Sequence, residues 1–340
     1  MSELRHDPTT DRWVIVAPER SHRPRDNRRR PEQNERLPSF DPTCPFCPGN
    51  ESMLPSIIKE IGSRDGPGWR TRVVANKFPV FSQDSACRGD NRFYERLSSR
   101  GYHEVIVEAQ RHDQDLLTMS IDEICDVFGA YKDTYKRLMA EKSVQSVILF
   151  RNRGTIAGAS LRHPHSQAAA LATVPPLIEA RQRAMLTYHG TKGRCIICDV
   201  VSHEQASGSR VISENDAFLT IVPFAPVAPC ETWLLPKRHE ADFGEIESAE
   251  IRPLAIALQG VLLRLEAALG GPSYNYVIDT ASKGMSGSGG LHWCLRIVPQ
   301  TTFPGGFELG SGLLISPSLP EQDAAVLRSI RLSSKEEAKT

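Results

Sequence analysis

The chain has 340 residues, and its 41 lysine and arginine residues balance 41 acidic ones, so its formal net charge is zero. This balance argues against a nucleic-acid partner or an anionic membrane surface. No apolar run approaches the roughly 18–20 residues of a membrane span, and the polar N-terminus is not a signal peptide. We therefore expect two globular domains of ordinary size that have no membrane partner.

The first half predicts alternating strands and helices. A strand-like segment at residues 105–107 is rich in β-branched side chains. Ser120 and Glu123 have the spacing of a capping box, and apolar residues recur behind them at helical spacing, so a long amphipathic helix should begin there. A second apolar strand at residues 147–150 leads into a glycine-punctuated loop, which ends in an HPHSQ segment at residues 163–167.

The second half repeats this order of elements. A strand-like segment at residues 232–235 corresponds to the one at 105–107, and a second amphipathic helix ends at the glycines and proline of residues 270–272. An internal duplication explains the match. It predicts an α+β fold of two similar halves, each an antiparallel sheet with packed helices. We place the domain boundary between residues 1–175 and 176–340.

One set of metal-ligating residue types occurs in each half. The first set is Cys44, Cys47, His112 and His163, and the second is Cys195, Cys198, His239 and His292. Two thiolates in a CxxC turn and two remote histidines can complete a tetrahedral shell with no open position, so we predict two structural Zn²⁺ sites. The remaining cysteines have no disulfide spacing, which favours metal binding in a reducing cytoplasm.

The two halves differ just after the last histidine of each set. His165 follows His163, whereas Cys294 takes the corresponding place after His292. A neutral imidazole can attack phosphorus and form a phosphoramidate, which divides one difficult transfer into two easier ones. The glycine loop before it lets backbone N–H groups approach a phosphate. We therefore predict His165 as the nucleophile. Pro164 cannot donate to a β-ladder and suggests a strand at the sheet edge.

Gln167 indicates transfer rather than hydrolysis. In an extended chain His163, His165 and Gln167 alternate onto one face. A glutamine amide donates hydrogen bonds to a phosphate oxygen, but it is no general acid at neutral pH. The covalent nucleotide would then wait for a second acceptor, as in a double-displacement transferase. A polar side chain that only satisfies nearby backbone is the alternative for Gln167.

These motifs resemble the galactose-1-phosphate uridylyltransferase branch of the histidine-triad superfamily, over nearly the whole chain. The resemblance implies two tandem histidine-triad-like halves, a nucleotidylated His165, a transferred phosphate bound by Gln167, and a first metal site built from the first Cys/Cys/His/His set. It also implies that Arg20 and Arg23 hold the substrate phosphate and that Asn76 belongs to the nucleoside pocket. Asn152 and Ser160 match the loop that binds phosphate, and Glu308 resembles a hexose contact.

The resemblance implies transfer of UMP from UDP-glucose to galactose 1-phosphate, in galactose and carbohydrate metabolism, and a homodimer. The usual Gln-Arg-Asp ending of the uridylyltransferases is absent, however. The chain instead resembles ADP-glucose phosphorylase relatives in three places: residues 306–312, the pair His292-Trp293 and the second Cys/Cys/His/His set. Those relatives pass a nucleotide from ADP-glucose to phosphate, and this reaction is the alternative to the predicted transfer of UMP. The expected partners are a nucleotide sugar and either a hexose 1-phosphate or phosphate.

Two other functional classes stay open at this point. A zinc-organised binding module for nucleotides or RNA would lack catalysis, and the balanced charge and the HPHSQ segment argue against it. A hydrolase would release the nucleotide to water quickly, which Gln167 disfavours because its amide cannot act as a general acid.

Overall fold

The structure is a computed structural model that describes residues 2–22, 37–62, 68–81, 83, 89–90, 93–96, 98–301 and 304–332. The strands are β1 (Glu3–Asp7), β2 (Arg12–Val16), β3 (Ile57–Gly62), β4 (Trp69–Ala75), β5 (Gly89–Asp90), β6 (Glu95–Arg96), β7 (Gly101–Val107), β8 (Ser146–Arg153), β9 (His165–Leu171), β10 (Val211–Glu214), β11 (Phe218–Ile221), β12 (Thr232–Pro236), β13 (Tyr274–Asp279), β14 (Cys294–Pro299) and β15 (Leu314–Ser316). The helices are α1 (Ile121–Ala140), α2 (Pro176–Lys192), α3 (Ile196–Ser207), α4 (Ser248–Leu269), α5 (Gly306–Ser311) and α6 (Pro320–Ser329).

A ten-stranded antiparallel sheet forms the centre of the molecule, in the order β10-β11-β12-β14-β13-β8-β9-β7-β4-β3. Each half contributes five strands in the same internal order, and the two halves meet where β8 pairs with β13. The predicted α+β fold with two similar halves is confirmed. The two antiparallel sheets are joined edge to edge, and the division at residue 175 stays a prediction.

Helices α1 and α4 cover one face of the sheet, and their ends follow the expected signals. Ser120 caps α1: the Glu123 backbone nitrogen donates to Ser120 Oγ over 3.3 Å, and the Glu123 carboxylate accepts from the Ser120 backbone nitrogen over 2.7 Å. Gly270 ends α4 in the left-handed conformation, with φ 69°. Within the described residues, no helix combines the length and apolar character that crossing a membrane requires.

The opposite face of the sheet is covered differently in the two halves. In the second half α2 and α3 bury an apolar cluster that includes Trp233 and Leu235. In the first half the turn that carries Cys44 and Cys47 packs on Val105 and Val107 of β7. Between the α2–α3 layer and the Cys44–Cys47 turn, the same face of β7, β9 and β8 is partly open. The side chains of His103, Gln167 and Phe150 on this face are only half-buried.

The expectation that Pro164 marks an edge strand is wrong. Strand β9 lies inside the sheet, between β8 and β7. The strand begins only at His165, so Pro164 precedes it and its missing N–H costs no ladder hydrogen bond. The Pro164 carbonyl instead accepts from the backbone nitrogen of Glu108 over 3.0 Å.

Candidate active site and metal clusters

Both Cys/Cys/His/His sets come together in space. Within each set the four ligand atoms lie within 4.8 Å of one another. The Sγ atom of Cys47 is 3.6 Å from Nδ1 of both His112 and His163, and Cys198 Sγ is 3.4 Å from His239 Nδ1 and 3.5 Å from His292 Nδ1. A tetrahedral zinc ion with typical bond lengths would hold sulfur and nitrogen about 3.6 Å apart. Both donor sets therefore fit such an ion.

The two clusters differ in how well they are protected. All four residues of the first cluster are buried, and His163 donates from Nε2 to the carbonyl of Ala109 over 2.8 Å, which leaves its Nδ1 free for a metal. In the second cluster His239 is exposed and Cys198 is half-buried. Among the described residues, Nε2 of His292 is buried without a hydrogen-bond partner. The first cluster is thus the better supported one.

His165 is held as a neutral imidazole with one free nitrogen. Its Nδ1 lies 2.8 Å from the carbonyl oxygen of His163, and because a carbonyl only accepts, Nδ1 carries the hydrogen. The lone pair is then on Nε2. Burial lowers the pKa of His165, and the positive charge of Arg151 lowers it further. The Phe46 ring, from the first CxxC turn, packs 5.4 Å from the His165 ring centre.

Gln167 lies two residues further along β9, on the same face as His165. Its side-chain Oε1 is 2.8 Å from Nε2 of His103 in β7. The backbone nitrogen of Asn76 donates to the His103 carbonyl over 2.9 Å, so Asn76 follows β4 beside this pair. The structure therefore places His103, Gln167 and His165 on the adjacent strands β7 and β9, with Asn76 just after the neighbouring strand β4.

Sequence reasoning missed His103. It alternates with Val105 and Val107 along β7, and the β7–β9 register places it opposite Ala169. Alternation along the strand-like segment puts His103 on one face with Val105 and Val107. Only the strand order shows that β7 and β9 are neighbours, so that this face also carries side chains of the HPHSQ segment.

The loop after β8 is a tight 3-10 turn at Thr155–Ala157, between Gly154 and Gly158, whose φ angles are 84° and 87°. A side chain at Gly154 would be excluded, because a Cβ atom there would lie 2.1 Å from Ser273 Oγ. The N–H groups of residues 157–159 donate to carbonyls within the loop. Those three groups are not free for a phosphate, so side-chain donors carry more weight than the loop backbone.

The Asn152 side chain also reaches this loop, because its Nδ2 atom would lie 3.7 Å from a Cβ atom at Gly158. Its Oδ1 accepts from Nδ2 of Asn275 over 2.7 Å, which leaves the Asn152 NH₂ group to face the loop. Asn275 is held in turn by Gln300, whose Nε2 donates to Asn275 Oδ1 over 2.8 Å. Asn152 and Asn275 are paired residues at the junction of β8 and β13.

The structure gives less support to the other residues that were predicted to contact the substrate. Ser160 is exposed at the end of the loop, and Arg20 is exposed in a 3-10 turn at Pro18–His22. Arg23 lies outside the described residues. The Glu308 carboxylate accepts from the backbone nitrogen of Gly305 over 2.9 Å and so caps its own helix. These substrate contacts stay predictions.

A buried ionic group lies beneath the strand that carries His165. The Arg151 Nε atom is 3.0 Å from both carboxylate oxygens of Glu108, and its NH1 atom donates to the hydroxyl of Tyr274 over 2.8 Å. Arg151 and Glu108 are only 2% and 1% exposed. This contact joins β8, the residue that follows β7, and β13, and it supports the floor of the site.

Cys294, in the place that corresponds to His165, is no second reactive group. It is 1% exposed. Burial raises the pKa of its thiol to about 12, and the nearby carboxylate of Asp279 adds to this effect. At neutral pH the thiol is therefore protonated and a poor nucleophile.

Comparisons with known proteins agree with this arrangement. The family model of the galactose-1-phosphate uridyl transferase N-terminal domain matches residues 1–175. An ADP-glucose phosphorylase of Arabidopsis thaliana is 34% identical over 337 residues, which cover 97% of this chain and 93% of that protein. A galactose-1-phosphate uridylyltransferase of Haemophilus influenzae is 28% identical over 295 residues, 86% of this chain and 81% of that protein. A crystal structure of an ADP-glucose phosphorylase from Arabidopsis thaliana with bound ADP-glucose has a TM-score of 0.84 and 32% identity, and the match covers 98% of this chain and all of that one (100%).

Proposed function

Because the chain belongs to the galactose-1-phosphate uridyl transferase family of nucleotidyltransferases, we propose that it transfers a nucleotide through a covalent bond to His165. The observation that carries this proposal is the hydrogen bond of 2.8 Å between His165 Nδ1 and the His163 carbonyl. It fixes the hydrogen on Nδ1 and leaves the Nε2 lone pair for attack on phosphorus.

In the first step Nε2 of His165 bonds to the α-phosphorus of a nucleotide sugar. The bond from that phosphorus to the bridging oxygen breaks, and the sugar 1-phosphate leaves with the oxygen and its electron pair. The ring becomes positively charged, and its Nδ1–H stays bonded to the His163 carbonyl, which stabilises that charge. In the second step an oxygen of the acceptor phosphate attacks the same phosphorus, and His165 leaves as the neutral ring.

Gln167 and Asn152 supply N–H donors for the oxygens of the transferred phosphate. Such donors stabilise the charge that develops on those oxygens in each step. An amide cannot protonate a leaving group, so the residue pair favours an acceptor that carries its own phosphate over water. We therefore prefer transfer over hydrolysis.

We propose Zn²⁺ as the ion of both Cys/Cys/His/His clusters. Bound zinc would be structural, since four protein ligands leave no position for substrate. In the first cluster it would hold His163, whose carbonyl orients His165. The residues of this cluster thus set the ring geometry and take no part in bond making.

For the substrates, the first candidate is ADP-glucose with phosphate as acceptor. It is supported by similarity to the Arabidopsis thaliana ADP-glucose phosphorylase over 97% of this chain, which includes the second half and its Cys/Cys/His/His set. His165 would then carry AMP, glucose 1-phosphate would leave, and phosphate would take up the AMP to give ADP.

The second candidate is transfer of UMP from UDP-glucose to galactose 1-phosphate, with a role in galactose metabolism. It is favoured by the family model, which matches residues 1–175, the part of the chain that contains His165 and Gln167. His165 would carry UMP in this reaction, and UDP-galactose would be the second product.

Two further expectations accompany this proposal. We expect a cytoplasmic protein, since the cysteines within the described residues form no disulfide bond, as in a reducing compartment. The homodimer that the family resemblance implies stays a prediction, to be checked by light scattering.

The decisive experiment is intact-protein mass spectrometry of the wild type and His165→Ala after incubation with ADP-glucose or UDP-glucose, each without acceptor. We expect an AMP adduct that is absent in the variant. A UMP adduct alone would support the second candidate. The adduct should disappear on addition of the matching acceptor, phosphate or galactose 1-phosphate. Rapid loss in buffer alone would indicate a hydrolase, and no adduct with either sugar would argue for a binding module.

A further inference from the structure

We infer that His103 is a positioning residue that determines which end of the Gln167 side-chain amide faces the transferred phosphate. The inference rests on the proposed function, since it concerns the same site. His103 itself need not contact the substrate. It acts through the hydrogen bond of 2.8 Å between its Nε2 atom and Gln167 Oε1.

The tautomer of His103 follows from the hydrogen-bond donors that surround its ring. Its Nδ1 atom lies 3.4 Å from the backbone nitrogen of Val80, an N–H group that can only donate. The side-chain Nδ2 of Asn76 lies 3.4 Å from Nδ1 and 3.3 Å from Nε2, so this contact does not distinguish the two ring nitrogens. The Val80 N–H therefore requires the lone pair of the ring on Nδ1. The ring hydrogen is therefore on Nε2.

The orientation of the Gln167 amide follows from this tautomer. Since Nε2 of His103 donates, the Gln167 atom that faces it has to be the carbonyl oxygen Oε1. The NH₂ group then points to the other side. A reversed amide would place N–H against N–H, unless the ring hydrogen moved to Nδ1 and opposed Val80 instead.

Burial supports this arrangement, because it lowers the pKa of His103 and so favours the neutral ring at neutral pH. A neutral ring has one donor and one acceptor nitrogen, which is what Gln167 and Val80 require. The ring is also packed against Phe81, with ring centres 6.4 Å apart, which limits its rotation.

The orientation of the Gln167 amide affects how well the site stabilises negative charge on the phosphate. Gln167 is on the same face of β9 as His165, so its NH₂ group can donate to an oxygen of a phosphate bound to His165. Without His103 the Gln167 amide can rotate by about 180° and present Oε1 to the phosphate oxygen. The two oxygens are both acceptors and repel each other. Loss of the His103 side chain should slow adduct formation by about tenfold to a hundredfold, which is less than the effect of losing an essential donor to the phosphate.

The test compares three substitutions in the full-length, metal-loaded protein. His103→Gln keeps an N–H donor near the position of Nε2, His103→Leu removes it, and His103→Glu replaces it with an acceptor. We measure the single-turnover rate of the His165 adduct with ADP-glucose and UDP-glucose. We expect the rate to fall in the order wild type, Gln, Leu, Glu, with little change in the nucleotide-sugar concentration that gives half the maximal rate.

A double-mutant cycle separates positioning from a structural effect. In a Gln167→Ala background, His103→Leu should cause no further loss, because the amide that it orients is gone. Zinc content and thermal midpoints of all variants serve as controls for folding. Equal rates for the wild type and His103→Leu, or an undiminished effect in the Gln167→Ala background, would overturn the inference while leaving the covalent mechanism intact.

A second measurement does not depend on turnover or on the stability of the variants. The ¹⁵N chemical shifts of the His103 ring in the wild type distinguish the two neutral tautomers. We expect a protonated Nε2 and an unprotonated Nδ1 at neutral pH. A hydrogen on Nδ1 would overturn the inference, whether or not the protein forms an adduct. Absence of any wild-type adduct would count against the proposed function and against this inference together.

Discussion

Asn275 donates from Nδ2 to Oδ1 of Asn152 over 2.7 Å, across the junction between the two halves of the sheet. The same Nδ2 group also donates to the carbonyl of Ala157 over 2.8 Å, in the loop that follows β8. A residue of the second half therefore orients a side chain and a loop of the first half. The second half supports the site although its own Cys294 is buried and unreactive.

Asn275→Leu should lower the rate of adduct formation by about tenfold to a hundredfold, because the Asn152 amide loses the partner that orients it. Gln300→Leu, one hydrogen bond further away, should have a smaller effect. Single-turnover kinetics with a nucleotide sugar would measure both. If Gln300→Leu proved as damaging as Asn275→Leu, the loss would reflect general disturbance of the sheet.

The two metal clusters should differ in their link to catalysis. Cys47→Ser disturbs the cluster that contains His163, whose carbonyl holds the His165 ring, so it should abolish adduct formation. Cys198→Ser disturbs the second cluster, and we expect it to retain most of the activity per folded molecule. Metal analysis should show that each variant loses one zinc ion and keeps the other.

Chelation of the wild-type protein provides an independent comparison. His239 of the second cluster is exposed, whereas every ligand of the first is buried. A chelator should therefore remove the second ion first, with activity preserved until the first is lost. Loss of activity in parallel with the first ion released would contradict this order.

The buried pair of Glu108 and Arg151 should contribute strongly to stability. Glu108→Ala leaves the Arg151 guanidinium buried without its principal partner, so the free energy of unfolding should fall by about 3–5 kcal/mol. Asp113→Ala is the control: it removes an ion pair with Arg111, whose side chain is 60% exposed, and should cost about 1 kcal/mol or less. Chemical denaturation would compare them, and equal losses would contradict the argument.

The carboxylate of Glu321 links the two ends of the chain and should make stability depend on pH. It accepts from Arg5 over 2.8 Å and from Arg210 over 2.9 Å. Burial alone would raise the pKa of Glu321, but the two guanidinium groups outweigh it, and the pKa lies below its ordinary value. The carboxylate therefore stabilises the fold above the unfolded-state pKa of about 4.3 and loses this effect as pH falls through the lower folded-state pKa.

Glu321→Gln tests this link. At pH 7 it should lower the free energy of unfolding by about 1–2 kcal/mol, a modest value because the side chain is 34% exposed. The difference from the wild type should shrink as the pH is lowered below 4. A constant difference across this range would show that the carboxylate charge is not responsible. Glu179→Gln, at an exposed position on α2, is the matched control.

Much of the fold followed from local signals in the chain. The capping box at Ser120 and the glycine at residue 270 correctly predicted the start of α1 and the end of α4, because caps depend on a few adjacent residues. The duplicated order of cysteines and histidines predicted two clusters that the structure brings together. Ligands of one ion have to converge, so their types and repeated order carried enough information.

The sequence by itself thus determined the α+β class, the two halves, the ligand sets and the position of His165 beside the first set. Only the tertiary structure decided that the halves share one sheet, that β9 is interior despite Pro164, and that His103 and Asn275 lie within hydrogen-bond distance of the amides of Gln167 and Asn152. Asn152 and Asn275 are separated by 123 residues. Contacts at such separations depend on strand order and register, which the local alternation of side chains does not specify.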